Sequence, residues 1–183
     1  MRGDRGSNPG PVGYRRYALP LHQARPLNKD RIQAMEQLKK KNWKGSKLCK
    51  MCGSVETPTH VIFECPTANY VWCILRDGLK WAKLGNISEA NLKIMTKRSG
   101  EEKRITTIII SAACWTIWLA INDYVFRNMV LSTPESLAYK LTTMLQKWSA
   151  KSNAGMGERI QEASAAIEQQ VRKTVEMSGG GSV

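Results

Sequence analysis

Apolar residues recur at helical spacing in five stretches of this chain, and nowhere do they alternate with polar ones as in a half-buried strand. The pattern therefore predicts an all-α protein. The first stretch, "LNKDRIQAMEQLKKKN", has Asn28 as a helix cap, Asp30 in the first turn and Ile32, Met35 and Leu38 on one stripe. Gly45 and Ser46 then break it. The second stretch places Val71, Ile74, Leu75 and Leu79 on a stripe, with Pro66 suited to its start and Gly85 to its end. A polar loop over 86–104 leads to the most apolar stretch, "ITTIIISAACWTIWLAIN", which has no charge between Arg104 and Asp123. Its length is at the lower limit for crossing a bilayer, and Thr106, Thr107, Ser111, Thr116 and Asn122 interrupt it. A central helix buried by its neighbours explains the same apolarity without lipid, so this reading is preferred to a membrane span.

The fourth stretch starts with Ser132 or Thr133 as cap, Pro134 at the first helical position and Glu135 beside it. Leu137, Leu141, Met144, Leu145 and Trp148 form its apolar face. After the break "KSNAGMG", the stretch "ERIQEASAAIEQQVRKTVEM" carries only the narrow stripe Ile160, Ala163, Ile167 and Val171. Such a stripe could zip onto a partner helix, but a marginal surface helix is the simpler expectation. The expected organisation is a disordered basic arm over 1–25 and a helical domain over 26–130. A helix packing on that domain follows over 131–151, then a linker, the marginal C-terminal helix and a flexible end over 152–183.

Charge narrows the partners. With 28 Lys and Arg against 15 Asp and Glu, the formal charge is +13, which favours nucleic acid, an acidic protein surface or anionic lipid. The arm holds Arg2, Arg5, Arg15, Arg16 and Arg25 against the single acid Asp4, as an organelle transit segment would, but its Gly and Pro content opposes the amphipathic helix such a segment needs. Five cysteines and no secretory leader pattern point to a reducing compartment, nuclear or cytoplasmic.

The chemistry is concentrated in "KLCKMCGSVETPTHVIFECPTANYVW". Cys49, Cys52, His60 and Cys65 form a C-x2-C-x7-H-x4-C array within seventeen positions. A tight turn lets two cysteines separated by two residues face one ion, and a later His and Cys complete a tetrahedron. Three thiolates and one imidazole suit Zn²⁺ in a closed, structural site without a vacant catalytic position. The competing reading, ordinary buried cysteines and a surface His60, does not explain the polar, turn-like interval "GSVETPT". Cys73 and Cys114 fall outside the array and are expected in the core.

Lys39, Lys40, Lys41, Lys44, Lys47 and Lys50 bracket Trp43 and abut the metal loop. Lysines attract phosphates regardless of sequence, and an exposed tryptophan stacks on an unpaired base. A solvated lysine face with Trp43 tucked into the core accounts for the same residues, and both readings stand.

The array and its continuation resemble the zinc-binding domain found at the C-terminal end of plant non-LTR (LINE-type) retrotransposon reverse transcriptases. The match runs through Cys49, Cys52, Glu56, His60, Phe63, Glu64, Cys65, Pro66, Val71 and Trp72, with Glu56 one residue from its commonest spacing. A second block, "WTIWLAINDYVF", is similar through Trp115, Trp118, Asn122 and Phe126, with Ile121 where the family usually has arginine. "LNKDRI" also resembles the family's turn into a helix. The resemblance covers about Pro26 to Val130. It implies an all-helical module with a small zinc-stapled loop packed on a helical bundle, and descent from a retroelement polyprotein. The family's usual upstream Trp-rich helix is replaced here by the Gly/Pro/Arg arm.

Polymerase activity does not follow from the resemblance. Reverse transcription needs paired aspartates holding two Mg²⁺ ions, and RNase H a constellation of carboxylates on a sheet. The nearest acidic pairs, Asp30 with Glu36 and Glu101 with Glu102, have charged surface contexts, the second pair in a solvated loop. The expected function is non-catalytic: a zinc-folded module binding RNA or single-stranded DNA weakly and without sequence specificity. A module docking a protein through Trp115, Trp118, Phe126 and the C-terminal helix is the alternative from another class. A retroelement remnant without selected function is the third. The lysine run would also serve as a nuclear import signal.

Overall fold

The structure is a computed structural model and describes residues 48–81, 100–129 and 133–179. The basic arm, the first expected helix, the lysines from Lys39 to Lys47 and Trp43 lie outside the described residues. In chain order there is a π-helical turn His60–Glu64, then α1 (Pro66–Gly78), α2 (Gly100–Arg127), α3 (Pro134–Ser149) and α4 (Ala154–Gly179). Among the described residues extended pairing is confined to one antiparallel bridge, Leu48 with Val55. The all-α expectation holds.

α3 and α4 form a helical hairpin, and among the described elements this pair makes the most extensive contact. Thr133 caps α3 by accepting from the Ser136 N–H, with Pro134 at the first helical position as the sequence signalled. Leu137, Leu141 and Leu145 of α3 and Ile160, Ile167 and Val171 of α4 are fully buried in one core with Ala163. Each fully buried aliphatic of this size contributes roughly 1.5–3 kcal/mol. Ser164, also buried, donates from its hydroxyl to the Thr142 carbonyl across the pair.

The C-terminal helix departs from its reading as a marginal surface element. Its stripe is occupied within the molecule by α3 and α1. It also starts earlier than "ERIQ": Asn153 accepts from the Met156 N–H and caps it, so the glycines of "AGMG" lie in its first turn. Periodicity alone undervalued this helix because its apolar side chains are few, while its small residues allow close approach. Gly78 of α1 is one side of that approach. A Cβ there would lie 3.1 Å from the Ala166 carbonyl oxygen.

α1 buries Val71, Ile74 and Leu75 of its expected stripe and also Trp72, while Leu79 is half-buried past its end, which falls at Gly78 rather than Gly85. The stop is a Schellman motif, in which the Trp81 N–H bonds to the Arg76 carbonyl and the Lys80 N–H to the Asp77 carbonyl. The left-handed position is filled by Lys80, φ 56°, where glycine is the usual residue. No local signal marks this stop, because the glycine sits two positions early. Lys80→Gly is therefore expected to raise stability by about 1 kcal/mol in urea unfolding, the usual cost of a left-handed side chain.

α2 begins at Gly100, so Glu101 and Glu102 sit in its first turn and not in a solvated loop. The helix dipole favours acids there, and Arg159 of α4 pairs with both, at 3.2 and 2.7 Å. By length and composition α2 could cross a membrane, and 67% of its most apolar window is buried inside the molecule, as in a core helix. Its outward stripe, Ser111, Trp115, Trp118 and Asn122, is half-buried and uncharged. The two tryptophan rings stack at 4.8 Å. The Phe126 side chain lies outside what is described.

Candidate metal centre

Three short backbone devices bring the four array residues together. The first is a knuckle: the Cys49 N–H bonds to the Ser54 carbonyl at 2.7 Å and the Gly53 N–H to the Cys49 carbonyl at 2.8 Å. Gly53 closes the turn at φ 78°, a conformation that costs glycine nothing. The Cys49 sulfur then lies over the Met51 and Cys52 backbone N–H groups.

The second device is the π turn. Thr57 starts it, its hydroxyl accepting from the His60 N–H at 3.0 Å, with Pro58 next in sequence. The Cys65 N–H then bonds to the His60 carbonyl at 2.7 Å, closing a wide turn. In an α-helix, residues five apart point about 140° from one another. The wider coil reduces that angle and lets His60 and Cys65 serve one centre.

The third device is the N-terminus of α1, where Cys65 is the cap residue with an extended backbone. Its sulfur receives the Thr67 and Ala68 N–H groups. Partial positive charge at a helix start favours a thiolate.

The result is a compact donor set. Cys49 and Cys65 sulfurs are 4.0 Å apart, the Cys52 sulfur is 3.1 Å from His60 Nε2, and all four ligand atoms lie within 4.8 Å of one another. Zinc–sulfur bonds of about 2.3 Å in a tetrahedron put sulfurs roughly 3.8 Å apart, so the set fits one ion with small adjustments. Cys49, Cys65 and His60 are buried and Cys52 is half-buried, leaving one side toward solvent. The hydrogen bond from Cys49 lowers Cys65 to about 5, with Thr67 and Ala68 helping against the opposing effect of burial. The same bond and burial push Cys49 up. The pairing thus favours a thiolate at Cys65, and a dication bound there would favour loss of the remaining thiol protons.

Cys73 and Cys114 stay out of the set, as expected. Cys114 is buried on α2, where burial raises its thiol, and Cys73 is half-buried on α1. Of the proposed nucleic-acid residues, Lys50 is described and is exposed on the knuckle turn. Two supporting residues carried no role in the sequence reading. Thr57 with Pro58 repeats the cap signature of Thr133 with Pro134, so its role was legible. The other is Trp72, fully buried, whose indole N–H donates to the Ile62 carbonyl at 2.6 Å and whose ring stacks on Phe63 at 5.8 Å. A long-range bond to a carbonyl inside the π turn has no local sequence signal.

A closed Cys3His site seated on a helical bundle defines a zinc-stapled all-α module. Residues 22–72 match the family described as zinc-binding in reverse transcriptase, and this stretch contains all four ligands together with Glu56, Phe63 and Trp72. The tryptophan block of α2 lies beyond the matched stretch. No curated protein and no solved structure gives a significant match.

Proposed function

We propose that this chain is a non-catalytic zinc module derived from a plant LINE-type retrotransposon reverse transcriptase, and that it binds RNA or single-stranded DNA weakly without reading sequence. The observation that carries this reading is the juxtaposition of a reverse-transcriptase-type zinc site with a lysine run that leads directly into it and continues at the exposed Lys50. Zinc would be held by Cys49, Cys52, His60 and Cys65. Bound there it supplies a rigid cross-link and charge neutralisation, and four protein ligands leave no position for a reacting water. Glu101 and Glu102 are committed to Arg159, which also argues for a binding role over carboxylate–metal catalysis. The module over 26–130 would act in nucleus or cytoplasm, holding template or target strand near a polymerase.

The test is fluorescence anisotropy of the zinc-loaded chain with a 20-nucleotide RNA between 50 and 200 mM salt. Three to six neutralised phosphates predict a loss of affinity of about 20- to 300-fold over that range. No binding at 50 mM, or binding that ignores salt, would sink the reading.

A second reading, docking of a protein partner, is favoured by one observation. The stacked Trp115 and Trp118 lie on an uncharged, half-buried face of α2. The stripe of α4, by contrast, is already occupied within the molecule.

A further inference from the structure

The knuckle carries a feature that neither the zinc site nor the lysines account for. Leu48 and Val55 are 47% and 65% exposed, and the other exposed large aliphatics of the described residues, Met129, Val175 and Met177, lie at or near helix ends. They face each other across the antiparallel bridge. Because the Cys49 N–H bonds to the Ser54 carbonyl just inside them, theirs is a non-hydrogen-bonded pair, in which side chains stand closest on one face. Lys50, exposed, sits two residues from Leu48 on the same turn. The metal array pins this turn on both sides, through Cys49 and Cys52.

We infer that Leu48 and Val55 form an apolar platform for one or two unpaired bases, with the exposed Lys50 on an adjoining phosphate. The inference rests on the nucleic-acid reading above and assigns its base-contacting surface. Size and charge select the occupant. Two aliphatic side chains fall far short of the roughly 800 Å² that each partner buries in a stable protein interface. A single base matches that size, and its phosphate lies within reach of a neighbouring ammonium group. In a duplex the base faces are stacked away, so the platform selects single strands. A turn already fixed by hydrogen bonds and metal loses little freedom on binding.

The experiment compares zinc-loaded full-length chains: wild type, Leu48→Ser/Val55→Ser, Val55→Thr and Lys50→Gln. Each is titrated with a fluorescent 20-nucleotide RNA at two salt concentrations, with single-stranded and duplex RNA as competitors, and zinc content is measured alongside. The double variant is expected to bind about tenfold more weakly with an unchanged salt slope and to lose its preference for single strands. Lys50→Gln is expected to flatten the slope by about 0.7, the contribution of one phosphate contact. If wild type does not bind, the nucleic-acid reading itself fails. If wild type binds and the double variant binds equally well, or weakens only by a changed salt slope, the platform is wrong. Should the double variant lose zinc, Val55→Thr decides: it keeps the side-chain shape, and a loss of about threefold with zinc retained supports the platform while no loss overturns it.

Discussion

Cys65→Ser is expected to abolish stoichiometric zinc binding and to remove the cooperative unfolding of the knuckle, the π turn and the start of α1. Cys65 is fully buried, closes the π turn, caps α1 and is one of the four residues that would hold zinc. A serine there cannot supply a thiolate, and it leaves Cys49 and His60 buried around an incomplete site. Structural zinc contributes on the order of 10 kcal/mol of binding free energy in small modules, and most of it acts as folding free energy for the segment it ties. Metal analysis should fall from one zinc per chain to a substoichiometric level, and the wild type treated with a strong chelator should melt like the variant. Cys52→Ser, at the half-buried corner, should retain weakened binding. Cys73→Ser should leave one zinc per chain, since that thiol stands outside the donor set. Equal melting of wild type and Cys65→Ser, both free of zinc, would return these cysteines to the role of ordinary core residues. Acidification acts in the same direction as chelation. Cys65 is held below its ordinary value, so the stability it contributes is fully present above the thiol range and declines as pH falls toward about 5. Protons then compete with zinc for every ligand.

Features set by neighbouring residues were legible in the sequence, and features set by the rest of the chain were not. Four ligand-type residues at C-x2-C-x7-H-x4-C identify a metal loop because the spacing itself folds the backbone, and the structure brings all four together. Thr133 followed by Pro134 fixes the start of α3 by local hydrogen bonding. In contrast, the importance of α4 depends on what lies against it. Ile160, Ile167 and Val171 look sparse on a helical wheel, yet they are fully buried because α1 and α3 cover them. The early start of α2 likewise depends on Arg159, more than fifty residues away, which rewards Glu101 and Glu102 for being helical. The π turn was the least legible feature. Nothing in the spacing of "HVIFECP" marks a helical turn of any register, and the wide register is supported by a tryptophan in the next helix.

That support makes Trp72 the sharpest probe of how the bundle and the metal site are coupled. Trp72→Ala removes a fully buried ring and should cost about 3–5 kcal/mol through the cavity alone, which says little about zinc. Trp72→Phe is more informative. Phenylalanine keeps most of the apolar volume and can still stack on Phe63, but it leaves the Ile62 carbonyl without the indole N–H that reaches it at 2.6 Å. An unsatisfied buried carbonyl costs about 1–3 kcal/mol, and the turn can recover part of that by relaxing toward α-helical register. Relaxation would swing His60 away from Cys65, so Trp72→Phe should lower zinc affinity by about tenfold or more, the scale seen when groups that orient metal ligands are removed. Leu141→Ala provides the contrast. It should destabilise the α3–α4 core by about 2–5 kcal/mol while leaving zinc affinity close to wild type, because Leu141 supports neither the knuckle nor the π turn. Competition titrations with a chromophoric chelator, run beside thermal melts of both variants, separate the two effects. If Trp72→Phe and Leu141→Ala reduce zinc affinity equally, the metal site responds to global stability and the indole bond has no special part in holding the π turn.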